Sequence, residues 1–376
     1  LRSARPSIGR RLRFTLIATL LVLVGTELFC RALESCLERI PSVSVNCGAS
    51  DPGFYTPDPY LGVRLRPGQR GVYRSRTGEQ LPYAIDSRGL RSPELGGFTS
   101  PDILFLGDSC TFGEGLSRME DSYPDRLQRA LTRRLGRPVV MAVAAVPGYS
   151  STNVRRWMER ELSVLRPKIT TLWIGWNDGW WQWEDPLRRN TQVGPTRLGE
   201  VETRLSAFAA FRLLRRALAP LVRRYRVSRR ASYLTRWKSS VPVPQFKENL
   251  AAIARLARDR DSTPLFMTLP CGAFTEEDVP HWLVRDTIIP DPVTLLDIHR
   301  DYNEGIREVA RSEKVALIDL DRSLREVPRP ELFCDLRIDV VHPSAAGQAR
   351  IADLLFPPLL EILKSTSKDI RPGNRP

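Results

Sequence analysis

The first residue placed to do chemistry is a serine that follows the abrupt end of an apolar run. Ile103 to Leu106 stops at Gly107-Asp108-Ser109. Four or five apolar residues bounded by glycine read as a buried parallel strand, and the next helical pattern starts near Tyr123. Ser109 therefore stands at the carboxyl end of a strand, where open α/β sheets bind ligands. A hydroxyl there can be exposed, with backbone N–H groups nearby to hold an oxyanion. Other motifs fail at this turn. Gly113-Glu114-Gly115 lacks the third glycine of a dinucleotide fingerprint, and no lysine stands where a phosphate loop needs one. Thr111 replaces the second glycine of a Gly-x-Ser-x-Gly elbow. The plain alternative is a polar turn after a buried strand.

A serine hydroxyl is a poor nucleophile until a base takes its proton. Imidazole suits the task because it titrates near neutral pH. The chain has three histidines, and two of them follow an aspartate by three: Asp278-Val-Pro-His281 and Asp339-Val-Val-His342. In either, the carboxylate can hold the ring and stabilise the imidazolium. Spacing alone does not choose between them. His299 lies in a helical pattern and is expected on a helix surface. Gly148 in Val146-Pro-Gly-Tyr-Ser150 and Asn177 in Gly175-Trp-Asn-Asp178 have plain readings as turn or cap residues.

The elements that must position these residues alternate. Strands are expected at 102–107, 138–144, 170–175, 264–269 and 315–320. Helices are expected near 121–135, 153–165, 245–260, 294–312 and 344–364. Ser151 or Thr152 is the expected cap of the second helix, and Pro357-Pro358 is expected to kink or break the last. Alternating strands and helices imply a parallel sheet covered on both faces. Before it, residues 41–100 read as a small β-rich lead-in with strand-like pieces at Gly71–Tyr73 and Tyr83–Ile85.

The 376 residues suit one large α/β domain with a small appendage. The net charge of +14 is local. Residues 1–13 hold five arginines and residues 204–238 hold eleven Lys or Arg, with no acid in either stretch. The remainder is near neutral, which argues against a nucleic-acid surface. Phe14 to Phe29 is almost wholly apolar. It reads as an uncleaved signal-anchor with its arginines in the cytoplasm. A cleaved signal peptide is the second reading and a buried core helix the third. The basic run carries Leu205, Phe208, Phe211, Leu214, Leu218 and Leu221 at helical steps, a cationic amphipathic helix broken by Pro220. It suits an anionic lipid face or acidic polymer; a helix packed on its own domain fits as well. The six cysteines show no zinc spacing. Cys271 and Cys334 are the one candidate pair, against buried free thiols. Trp173 is expected in the core, while Trp176, Trp180, Trp181 and Trp183 suit an aromatic substrate wall or a structural lid.

Taken in order, the blocks around Ser109, Gly148, Asn177 and His342 resemble those of the SGNH (GDSL-type) hydrolase superfamily, whose name spells its four site residues. Ser109 matches in Gly-Asp-Ser, Gly148 in Val-Pro-Gly-Tyr-Ser, Asn177 in Gly-Trp-Asn-Asp, and His342 in Asp-x-x-His-Pro-Ser-x-x-Gly. The leader, Asp58-Pro-Tyr-Leu-Gly-Val-Arg-Leu-Arg-Pro-Gly68 and Asp86-Ser-Arg-Gly-Leu-Arg91 resemble the membrane-anchored bacterial members. The resemblance implies a three-layer α/β/α sandwich with a parallel, flavodoxin-like sheet. It favours His342 over His281 as base, with Asp339 orienting it, and assigns the oxyanion hole to the Ser109 N–H, the Gly148 N–H and the Asn177 amide. It implies no metal or organic cofactor. The expected organisation is a signal-anchor over 1–40, the lead-in over 41–100, the hydrolase domain over 101–365 with the basic insert at about 200–240, and a tail over 366–376. The expected activity is hydrolysis of O-acyl esters, O-acetyl included, on envelope carbohydrate or lipid at the inner membrane, with the catalytic domain periplasmic. The alternatives are a carbohydrate O-acyltransferase with the same residues and a non-catalytic envelope-binding module.

Overall fold

The computed structural model describes residues 8–39, 54–58, 60–91, 100–180, separate residues between 205 and 221, and then 237–286 and 288–368. Its centre is a parallel sheet of β5 (Ile103–Gly107), β6 (Met141–Ala145), β7 (Ile169–Trp173), β8 (Thr263–Met267) and β9 (Ala316–Ile318). The strand order is β6-β5-β7-β8-β9. In strand succession that is 2-1-3-4-5, the flavodoxin-like order, with its switch point beside β5. Strands β5, β6 and β7 are buried along their whole length, as a sheet covered on both faces requires.

Register decides where the site falls. Gly107 pairs with Ala145 on one side and with Trp173 on the other. The loops after β5, β6 and β7 therefore leave the sheet at one level.

On one face α3 (Tyr123–Leu135) packs against α11 (Ala345–Lys368); on the other α6 (Val243–Arg258) lies between α4 (Ser151–Glu161) and α8 (Pro292–Ser312). Short turns of helix also stand among the described residues: α2 (Ser109–Phe112), α5 (Trp176–Gly179), α7 (His281–Arg285), α9 (Leu320–Ser323) and α10 (Arg329–Leu332). Helix α4 is capped by Ser150, one residue before the expected position, through a reciprocal box with Asn153. Helix α11 is not broken at Pro357-Pro358. Leu355, Leu359 and Leu363 are fully buried on both sides of the prolines, and that packing offsets the lost hydrogen bonds.

The lead-in forms two antiparallel hairpins, β1 (Tyr55–Asp58) with β2 (Gly62–Leu65) and β3 (Arg70–Arg74) with β4 (Gln80–Ala84). It is more than a cover. Phe54, Tyr73, Leu81 and Tyr83 join the main core, and Phe54 meets Phe112 edge-on at 5.3 Å. Cys271 is buried and Cys334 exposed, and both are free thiols, so the candidate pair does not form. Cys36 carries no described side chain, and Cys47 lies outside the described residues.

Helix α1 (Ile8–Arg39) precedes all of this. Phe14, Leu16, Ile17 and Leu20 to Val24 are exposed, so the core-helix reading fails. Arg13–Leu33 is long and apolar enough to cross a membrane by length and composition; at ~1.5 Å per residue it matches a hydrocarbon core of ~30 Å. Glu27 of α1 accepts the backbone N–H of Ala209 (2.9 Å) and Ala210 (3.3 Å) in the insert. Most of the basic run, its arginines and Pro220 included, lies outside the described residues.

Candidate active site

Ser109 is the first residue of α2, directly after β5. Asp108 caps this turn by accepting the Cys110 N–H at 2.9 Å. Gly107 is obligatory: a Cβ there would lie 2.8 Å from the Trp173 carbonyl and collide with Thr111. Thr111, which spoils the elbow motif, is thus the side chain that fills the space above Gly107. Ser109 itself is 8 % exposed, at the floor of the site.

His342 arrives from the loop between α10 and α11. A bridge between Phe333 and Pro343 and a bond from Ser344 N–H to Leu332 O (2.8 Å) fasten that loop. Asp339 Oδ1 accepts the N–H of Val341 (2.9 Å) and of His342 (3.0 Å), and its Oδ2 lies 2.6 Å from His342 Nδ1. His342 Nε2 is 2.8 Å from Ser109 Oγ. Burial works against ionised Asp339, but the charge of His342 and these hydrogen bonds hold its carboxyl below the usual range. Burial would also lower His342. The carboxylates of Asp339, Glu114 and Asp108 outweigh it and raise the imidazole above its ordinary value.

Gly148 lies in the loop after β6 with φ +87°, a left-handed conformation that favours glycine. A Cβ there would meet nothing within 4 Å, so its side faces open space. The N–H groups of Ser109 and Gly148 have no protein acceptor among the described residues. Asn177 is on α5, after β7. Its Nδ2 is 3.0 Å from Tyr149 O and 3.2 Å from Asp108 Oδ2, so both of its donors have acceptors. The four resemblance residues and Asp339 thus meet around one sheet end.

A family model for the GDSL-like lipase/acylhydrolase family matches residues 105–350. The chain belongs to that family. Among solved structures it is similar to a lipase/acylhydrolase from Enterococcus faecalis, 13% identical over 74% of this chain and 100% of that one, with a TM-score of 0.43. The psychrotrophic esterase EstA from Pseudoalteromonas sp. is 14% identical over 72% of this chain and 100% of that one, at 0.40. The acetylxylan esterase Axe2 from Geobacillus stearothermophilus is 14% identical over 71% and 96%, also at 0.40. No curated protein matches.

As a GDSL-like acylhydrolase the chain is an esterase acting on carboxylic ester bonds. Neither of the other histidines hydrogen-bonds Ser109. His281 is exposed at the start of α7. Asp278 does not turn to it, because Oδ2 accepts the N–H groups of Phe274 and Thr275 while Oδ1 pairs with Arg329. His299 is not on the surface as expected. Its side chain stacks on Trp176 (5.8 Å, 11°) and bonds Leu269 O at 2.7 Å. Trp176 is fully buried and also stacks on Trp180 (5.8 Å), so it belongs to the core and not to a substrate wall. Trp181 and Trp183 lie outside the described residues.

Two acids escaped the sequence reading. Asp178, adjacent to Asn177, holds Ser151 at the start of α4. Glu114 sits 3.6 Å from His342 Nε2. Its only signal was the pair of flanking glycines, whose φ angles are +107° and +90°. Glu114, Asp339 and His342 offer ligand atoms within 4.8 Å of one another. Both ring nitrogens of His342 already have partners, so the group reads as proton machinery and not as a cation site.

Proposed function

We propose that this esterase removes O-acyl groups, O-acetyl among them, from envelope carbohydrate or lipid through an acyl-enzyme on Ser109. His342 Nε2 takes the Ser109 proton as Oγ attacks the ester carbonyl, while Asp339 holds the ring and the imidazolium it becomes. The N–H groups of Ser109 and Gly148 hold the oxyanion. Asn177 joins them by turning one amide hydrogen from Asp108 to the substrate oxygen. Each such donor is worth ~3 kcal/mol in the transition state. The alcohol leaves with the proton from His342, and a water activated by the same imidazole then releases the acid. The observation that carries the reading is the unbroken relay Ser109 Oγ–His342–Asp339, at 2.8 Å and 2.6 Å.

Residues 1–40 serve as an anchor, with α1 in the inner membrane, the arginines cytoplasmic and the catalytic domain periplasmic. The basic run 204–238 rests on anionic headgroups or an acidic polymer.

The deciding experiment is labelling by a fluorophosphonate probe, followed by turnover of short aryl esters with and without a polysaccharide acceptor. Ser109→Ala is expected to abolish labelling; a label that persists on another serine overturns the assignment. Hydrolysis with no acyl transfer supports the esterase. Transfer to sugar identifies a transferase, and inertness toward every ester identifies a binding module.

A further inference from the structure

Glu114 is 6 % exposed and makes no salt bridge to a Lys or Arg among the described residues. Its Oε2 accepts the Tyr73 hydroxyl at 2.8 Å. The same oxygen lies 3.6 Å from His342 Nε2, the nitrogen that faces Ser109 Oγ. A buried carboxylate with one neutral donor is unfavourable unless a positive charge compensates it. The group placed to supply that charge is the imidazolium of His342.

The placement is built. Gly113 and Gly115, both left-handed, turn the chain so that Glu114 points inward between them. A Cβ on Gly115 would come within 3.5 Å of the Pro343 carbonyl and 3.6 Å of His342 Cβ, so this loop lies directly on the histidine loop. Tyr73 comes from β3 in the lead-in, and its ring packs on Phe54 (5.2 Å) and Phe112 (5.4 Å). The titratable groups facing His342 are Asp339 from its own loop, Asp108 and Ser109 from the β5–α2 turn, Cys110 from α2, whose Sγ contacts Val341 O, and Glu114 from the segment after α2.

We propose that Glu114 is a positioning residue of this esterase, a second carboxylate that stabilises the His342 imidazolium from the Nε2 side and is held there by Tyr73 of the lead-in. The proposal rests on the reading of His342 as the base. When the Ser109 proton reaches Nε2, positive charge forms between Asp339 and Glu114, both already in place. The lead-in hairpin thereby becomes part of the proton machinery.

The test uses the intact chain and two readouts. The first is the pH dependence of kcat/KM on an aryl ester. The second is the titration of the His342 ring by nitrogen-15 NMR. Glu114→Gln is expected to move the acid limb of kcat/KM down by at least one pH unit, with an equal shift in the NMR titration. Glu114→Asp, which keeps the charge, is expected to return both toward the parent. A limb that stays in place while activity falls equally at every pH means a merely structural role and overturns the proposal. Should Glu114→Gln fail to fold, the parent decides alone: a His342 ring that titrates at or below the ordinary imidazole value overturns it. Retained turnover in His342→Ala sinks the base reading instead, and the NMR shift between parent and Glu114→Gln still reads the effect of Glu114.

Discussion

Asp178 ties two site loops together through Ser151. Its carboxylate accepts the Ser151 N–H at 3.0 Å and also the Ser151 hydroxyl, which in turn accepts from Asn249 (2.9 Å). The loop that carries Gly148 and the helix turn that carries Asn177 are thereby held at a fixed separation. Burial pushes Asp178 up to about 8 from an ordinary 3.8. At pH values between these, the unfolded chain has released this proton and the native chain retains it. The contribution of Asp178 is therefore full below pH 3.8 and falls as pH rises toward 8, by up to ~1.4 kcal/mol per pH unit. Urea midpoints measured across that range should decline, and Asp178→Asn should remove part of the slope. An identical slope in the variant would show that Asp178 titrates normally.

Asp339→Asn should keep the bonds to the Val341 and His342 N–H groups, since the amide oxygen replaces Oδ1. It loses the anionic partner at His342 Nδ1. A drop in kcat on the order of 10³–10⁴, with KM and Tm little changed, is expected. Steady-state kinetics and a melting curve on the same preparation decide it.

Gly148→Ala probes the open side of the second loop. The new methyl has room, but φ +87° is strained for any residue with a Cβ, at ~1–2 kcal/mol. The methyl would also stand beside the N–H offered to the oxyanion. A loss on the order of 10² in kcat/KM with a modest fall in Tm is expected. Unchanged kinetics would remove Gly148 from the oxyanion hole.

His281→Ala should leave aryl-ester turnover within about twofold, as expected of an exposed side chain away from the chemistry. His342→Ala should lose nearly all of it. His299→Ala should lower Tm instead, because it empties the space against Trp176 and removes the bond to Leu269 O.

The basic insert is tested by salt. The full chain in mild detergent should bind an acidic glycan, with affinity falling as ionic strength rises. Replacing Arg215, Arg216, Arg223 and Arg224 by Gln should weaken that binding and spare turnover of a small soluble ester. Equal binding by the variant would make the run a solvated surface.

Much of this protein was determined by its local sequence. Ile103–Leu106 ending at Gly107 marks a buried strand and a serine at its carboxyl end, because apolar runs and glycine stops act within a few residues. The 2-1-3-4-5 sheet order was expected from the resemblance carried by four short blocks, not from periodicity. Helix α4 began two residues early because Ser150 and Asn153 cap each other, a reciprocal bond that competes with Ser151 and Thr152 on local terms. Other features were decided only by tertiary structure. Spacing is identical in Asp278-Val-Pro-His281 and Asp339-Val-Val-His342. In the first, Arg329 and the Phe274–Thr275 backbone take the carboxylate; in the second it is free to meet the ring. His299 and Trp176 are core residues because α8 crosses α5, a contact between segments far apart in the chain. Glu114 faces His342 across more than two hundred residues, and Tyr73 reaches it from a separate hairpin. No local pattern encodes such meetings, since charge and hydrogen-bond partners act through space once the sheet has brought the loops to one level.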